Sequence, residues 1–135
     1  MRPATAARLS RAQAELEREG LGLKVYDCYR PLVPDERFVA HPAQGSNHNR
    51  GAAVDLTLVD AKGNELPMPT GFDDFTELAH RSYSYLPENV MKNRERLVRA
   101  MVNQGFLPLP TEWWHFDDPE CARYSILNLP FSQLR

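Results

Sequence analysis

The chain has 135 residues, of which 42% are hydrophobic and 25% charged, with a formal net charge of -2. That length fits one domain spanning 1–135 and burying roughly two thirds of its unfolded surface, and the composition excludes intrinsic disorder. With 16 basic against 18 acidic residues there is no basic excess to displace counterions, so nucleic-acid binding is not expected.

The longest apolar runs are a few residues, so a membrane partner is not expected either. Met1-Arg2-Pro3-Ala4-Thr5 leads into a charged segment without the apolar core of a leader; the expected compartment is the cytoplasm, with the periplasm as the alternative. Cys28 and Cys121 are too few for a disulfide framework or a Cys-rich zinc module, and reduced, buried thiols are expected. The sequence sets no oligomeric state.

The first element is a predicted helix from Thr5 to Glu19, with Leu9, Ala12 and Leu16 on one face and Gly20 beyond its end. Leu21 to Tyr29 reads as a strand with Leu23, Val25, Asp27 and Tyr29 on one face, stopped by Arg30-Pro31. Residues 31–47 read as a loop with at most one helical turn. Ala53 to Leu58 is a second strand, with Val54, Leu56 and Leu58 on one side and Ala53, Asp55 and Thr57 on the other. Ala61-Lys62-Gly63-Asn64 is a turn returning the chain to a hairpin partner near Leu66. Asp73 or Asp74 is positioned to cap a helix running to Tyr83. A further helix is predicted over Asn89 to Asn103, its face formed by Met91, Arg94, Val98, Met101 and Val102, with Gly105 after it. Trp113 to Phe116 is the last strand. Without strict β-α-β alternation, the expected class is α+β, helices packed on a small, mainly antiparallel sheet.

Two stretches carry candidate chemistry. In Ser46-Asn47-His48-Asn49-Arg50-Gly51-Ala52-Ala53-Val54-Asp55, a histidine precedes a strand that holds an aspartate on its polar face. A carboxylate in an apolar, β-branched strand is costly unless it is paired or holds a cation. Gly51 permits the bend that swings His48 back over the strand. In Glu112-Trp113-Trp114-His115, two polar groups three residues apart would face opposite sides of a flat strand, so a shared site requires a bend, which Pro108 and Pro110 favour. Two histidines and one carboxylate form a common catalytic zinc set, and a non-ligating glutamate is what a hydrolase then needs to take a proton from water. Each residue alone is more often a hydrogen-bonded structural group; the joint pattern carries the reading. Trp113 and Trp114 read as core or pocket wall, and His41 and His80 as solvent or core histidines.

The joint pattern Ser46-x-His48-x-x-Gly51-x-Ala53-x-Asp55 followed by Glu112-x-Trp114-His115 resembles the VanX-type D-alanyl-D-alanine dipeptidases, a group of zinc peptidases sharing their fold with D,D-carboxypeptidases, phage endolysins and the hedgehog signalling domain. The likeness extends through Val25-Tyr26-Asp27-Cys28-Tyr29-Arg30-Pro31, Phe72-Asp73 and Asn93-Arg94-Glu95-Arg96-Leu97, covering about Leu21 to Phe116. The resemblance implies one zinc ion per chain held by His48, Asp55 and His115, with Glu112 as general base and then general acid. It implies that Arg30 stabilises the oxyanion, that Asp73 holds the free α-ammonium of a small dipeptide, and that Ser46 lies beside the metal site, binding substrate or orienting a ligand.

Against that family the chain is short before the first helix and between the Arg-Pro strand end and the Ser-x-His motif; a more open pocket, a pocket completed by a partner chain and a truncated form all stay open. Three activities stay open on these grounds. The first is hydrolysis of D-alanyl-D-alanine or a similar D,D-dipeptide. The second is a D,D-carboxypeptidase or peptidoglycan endopeptidase. The third is a non-catalytic zinc-binding domain, against which the presence of Glu112 and Arg30 argues. Glycopeptide antibiotic resistance, cell-wall D-alanine recycling and use of the dipeptide as nutrient all suit the first.

Overall fold

The computed structural model describes residues 1–32 and 45–133. Most of the 31–47 loop and His41 therefore lie outside the described residues. The described elements are α1 (Pro3–Glu17), β1 (Gly22–Asp27), β2 (Ala53–Val59), α2 (Glu88–Asn103), β3 (Leu107–Pro108) and β4 (His115–Asp117), with short 3-10 turns at Glu77–Ala79, Cys121–Arg123 and Phe131–Gln133. The strands form one antiparallel sheet in the order β1-β2-β4-β3. This is the expected α+β arrangement. No described helix is long and apolar enough to cross a membrane.

Pro3 starts α1 at a position where its missing N–H costs nothing. The helix buries Thr5, Ala12 and Leu16, with Leu9 partly covered. It ends at Glu17 rather than Glu19, because Leu21 N–H turns back to the Leu16 carbonyl at 3.0 Å. α2 runs to Asn103 as expected, and Gly105 at φ 89° lets the Phe106 N–H reach the Met101 carbonyl.

The buried face of α2 is Val90, Asn93, Arg94, Leu97, Ala100 and Met101, so the face expected from Met91, Val98 and Val102 is rotated, and Val102 is exposed. Arg94 and Met101 lie on the buried face as expected; the rest is misplaced because Asn93 is also buried to serve a loop carbonyl. Asn93 Nδ2 donates to Pro67 O at 2.9 Å, and Arg94 Nη1 donates to Tyr83 O at 2.8 Å and His80 O at 3.3 Å.

The core joins Ala12 and Leu16 of α1, Val54, Leu56 and Leu58 of β2, Leu97, Ala100 and Met101 of α2, and Phe106, Trp113, Trp114 and Phe116. β2 is central to the sheet and buried along nearly its whole length, so its second face, carrying Ala53, Asp55 and Thr57, is also covered. After β2 the chain turns through Asp60–Asn64, and Leu66 N–H donates to Leu58 O at 3.0 Å, near the expected hairpin return.

Further expectations are corrected. β1 carries a bulge between Val25 and Asp27: Val25 pairs with Leu56, yet Asp27 pairs with Asp55. The extra residue breaks the alternation, moving Asp27 off the Leu23–Val25 face and onto the face of Asp55. No α-helix follows Asp73 or Asp74; the segment holds only the turn at Glu77–Ala79. Asp74 Oδ1 accepts the Thr76 N–H at 3.0 Å, and Asp73 sits at φ 62°, outside the extended backbone of a helix cap. The last strand begins at His115, because Trp113 and Trp114 belong to a turn. Cys28 and Cys121 are free thiols, partly rather than fully buried.

The N-terminus is locked to the sheet by a fully buried pair. Thr5 Oγ1 donates to Asp118 Oδ2 at 2.8 Å, while Asp118 N–H donates to Ala52 O at 2.8 Å, beside the start of β2. Thr5→Val keeps the shape but removes a donor from a buried carboxylate. We expect a loss of about 1.5–3 kcal/mol in urea unfolding, with the unfolding slope unchanged.

Candidate metal centre

The sheet register builds this site. In the antiparallel β2–β4 pair, Asp55 lies directly opposite His115 and Ala53 opposite Asp117, so His115 and Asp117 share the polar face with Asp55. Val54 opposite Phe116 points into the core. His48 arrives from a turn at Ser46–Gly51. Gly51 N–H donates to His48 O and Ala52 N–H to Asn47 O, both at 3.1 Å, and this reversal needs the φ of 67° that Gly51 supplies. Asn49 anchors the turn: Nδ2 donates to Arg30 O at 2.8 Å, and Oδ1 accepts from the Ser46 N–H at 2.6 Å and Oγ at 3.2 Å.

His48 Nε2, Asp55 Oδ1 and His115 Nδ1 converge, and the three residues form a candidate metal-holding group. The Asp55–His115 separation is 2.9 Å, and His48 Nε2 lies 3.3 Å from both of the others. Donors held about 2.0–2.2 Å from a tetrahedral ion stand roughly 3.3–3.6 Å apart, so this set fits such an ion once the Asp55–His115 pair opens slightly. The far side of each ring is also engaged. His48 Nδ1 lies 2.7 Å from Cys28 O, and His115 Nε2 lies 2.9 Å from Asp117 Oδ1. An N–H donated there fixes each ring and leaves the inward nitrogen's lone pair for a cation. Sequence reasoning missed Asp117 and the Cys28 carbonyl. The i, i+2 spacing of His115 and Asp117 on a strand was a readable signal for the first; a backbone carbonyl leaves none.

The electrostatics of the metal-free site follow from burial and contact. Burial raises the pKa of Asp55, but hydrogen bonds from His115 and His48 outweigh it and hold the carboxyl below its usual value. Burial alone would lower the His115 pKa; bonds to Asp117 and Asp55 reverse this and push it up to about 9. Glu112 lies in the turn before β4, with Oε2 3.9 Å from His115 Nδ1. The bend expected between Glu112 and His115 is present as a turn, closed by His115 N–H donating to Glu112 O at 3.4 Å. Burial raises the Glu112 pKa, with Asp55 and Asp73 adding to the effect against His115 and His48.

Arg30 is hydrogen-bonded to Asp27 through Nε at 3.1 Å and through Nη2, and its N–H donates to His48 O at 3.2 Å. The bulge in β1 thus brings Asp27 and Arg30 to the rim of the site. Asp73 is solvent-accessible; burial, then the Asp55 charge, raises its pKa, while Arg30 and His48 pull the other way. It therefore lies within the field of the same cluster. Ser46 bonds Asn49 as described. Phe72 and Phe75 meet Trp114 edge-on, with centroids 5.8 and 5.9 Å away, and form an aromatic wall beside Asp73.

Comparison with known proteins places this geometry in context. The chain is 41% identical over 122 residues to the D-alanyl-D-alanine dipeptidase of Escherichia coli K12, covering 84% of this chain and 63% of that protein. It is 35% identical over 99 residues to the Enterococcus faecium protein of the same name, covering 69% of this chain and 49% of that protein. Against the Streptomyces coelicolor protein of that name it is 30% identical over a 141-residue alignment, covering 84% of this chain and 70% of that protein. The chain thus spans about half to two thirds of the length of the first two relatives. The profile of the peptidase M15 family, described as D-ala-D-ala dipeptidase, matches residues 32–134, and the chain with its His-Asp-His cluster belongs to that metallopeptidase family.

Proposed function

We propose that this chain is a zinc-dependent hydrolase of D-alanyl-D-alanine or a similar small D,D-dipeptide. The observation that carries this reading is the convergence of His48 Nε2, Asp55 Oδ1 and His115 Nδ1, with the Glu112 carboxylate beside them at 3.9 Å. The relatives' names supply the substrate class.

His48, Asp55 and His115 are the zinc ligands in this reading; two imidazoles and one carboxylate suit zinc, and their outer hydrogen bonds orient them for it. Zinc bound there supplies Lewis acidity toward the peptide carbonyl and brings the pKa of water down to about 7. Glu112 takes the proton of the attacking water and returns it to the leaving amine; its raised pKa moves a carboxylate toward the working range of a general base. The Arg30 guanidinium, oriented by Asp27, opposes the negative charge that develops on the carbonyl oxygen. Asp73 receives the α-ammonium. Its position in the field of other carboxylates favours a cation there, and its left-handed backbone, at φ 62°, is a cost tolerated where function sets a side chain's direction. Ser46, by holding Asn49, steadies the turn that carries His48.

Glu112→Ala is expected to keep zinc while losing about 10²–10⁴ in kcat. Metal analysis with assays on D-alanyl-D-alanine checks this, and equal loss of metal and activity would make Glu112 a ligand instead. Asp73→Ala is expected to raise KM for the free dipeptide more than for an N-blocked one. Wild-type cleavage of the blocked substrate alone would overturn the dipeptidase reading in favour of a carboxypeptidase or endopeptidase. Zinc uptake is also linked to protons. With its pKa at about 9, His115 is protonated in the metal-free protein at neutral pH and must lose that proton to offer Nδ1. Nuclear magnetic resonance of the His115 ring in the metal-free protein is expected to give a titration midpoint near pH 9 that zinc abolishes, and a ring already neutral at pH 7 would contradict this.

A further inference from the structure

Glu112 and His115 lie on a turn whose own hydrogen bonds are long. Glu112 N–H reaches Leu109 O at 3.4 Å, His115 N–H reaches Glu112 O at 3.4 Å, and Leu109 N–H reaches His115 O at 3.2 Å. Bonds of that length are at the weak end of the range. A residue remote in sequence reinforces both ends. Arg81 donates from Nε to Leu109 O at 2.8 Å and from Nη2 to His115 O at 2.9 Å, while its backbone N–H donates to Pro110 O at 2.9 Å. Its guanidinium carbon stacks 4.5 Å from the centroid of the Phe116 ring, one residue beyond the metal-site histidine.

This arrangement carries a cost. Arg81 Nη1 is buried without a hydrogen-bond partner among the described residues. Burial and the like charge of Arg94 bring the guanidinium's pKa down to about 10, opposed by the nearby Glu112. An apolar side chain at this partly buried position would avoid that cost. A planar fork that donates to two carbonyls at once cannot be replaced by a lysine, which offers a point charge on a flexible stem.

We propose that Arg81 is a positioning residue: it clamps the Leu109–His115 turn and thereby sets the distance between the Glu112 carboxylate and the His115 metal donor. This rests on the hydrolase reading for its consequence in catalysis, but not for its structural content.

The test uses full-chain Arg81→Ala and Arg81→Lys. In the metal-free proteins, amide hydrogen exchange over residues 109–116 is expected to quicken about tenfold or more in both variants, while the helix Pro3–Glu17 is unchanged. In the zinc-loaded proteins, kcat on D-alanyl-D-alanine is expected to fall about 10–100-fold, with KM within about twofold and zinc still bound. Millimolar guanidinium is expected to restore part of the kcat of Arg81→Ala and none of that of Glu112→Ala. Unchanged exchange over 109–116, or a wild-type kcat at saturating zinc, would overturn the proposal. Should Arg81→Ala fail to fold, Arg81→Lys carries the same comparison. If wild-type protein hydrolyses no dipeptide, the hydrolase reading fails by itself, and the exchange measurement alone decides whether Arg81 holds the turn.

Discussion

Asp55 and His115 face each other across the antiparallel pairing of β2 and β4, with Oδ1 and Nδ1 2.9 Å apart. The rest of the site is arranged around that register. Side chains on a strand alternate, so slipping β4 by one residue would turn His115 and Asp117 toward the core and bring Phe116 out onto the polar face. Val54 and Phe116, paired beside them and fully buried, make such a slip costly. The packing of the core thus protects the geometry of the polar cluster.

The remaining groups reach the cluster through irregular backbone. A bulge in β1 carries Asp27 to the site face, a glycine turn returns His48, and a hydrogen-bonded turn delivers Glu112. Regular strands supply rigid anchor points, while bulges and turns direct the side chains that strand alternation would send elsewhere. Each departure is tied down by a hydrogen bond: Arg30 to Asp27, Asn49 to the Arg30 carbonyl, and Arg81 to the carbonyls of Leu109 and His115.

Five carboxylates, Asp27, Asp55, Asp73, Glu112 and Asp117, share one small region with His48, His115 and Arg30. Without a cation this concentration of negative charge is held by His115, whose imidazole sits between Asp55 and Asp117. A divalent ion takes over that role in the proposed enzyme, so metal binding and deprotonation of His115 are two faces of one equilibrium.

The sequence alone determined the elements with clear periodicity and singled out side chains that the fold brings together. The alternation of Val54, Leu56 and Leu58 against Ala53, Asp55 and Thr57 located β2, and the helical spacing of Leu9, Ala12 and Leu16 located α1. His48, Asp55, Glu112 and His115 were readable because chemically distinctive residues recur at a family's spacing. Tertiary structure decided what local pattern does not encode. A segment after Asp73 became irregular because its carbonyls at His80 and Tyr83 are served by Arg94, which replaces helical bonds with distant ones. The buried face of α2 turned because Asn93 went inward, beside the expected Arg94, to satisfy a loop carbonyl. The bulge in β1, the Cys28 carbonyl behind His48 and the clamp from Arg81 each depend on partners many residues away in the chain. Periodicity reports which side of an element meets the core; it carries no record of which distant backbone group a polar side chain will find there.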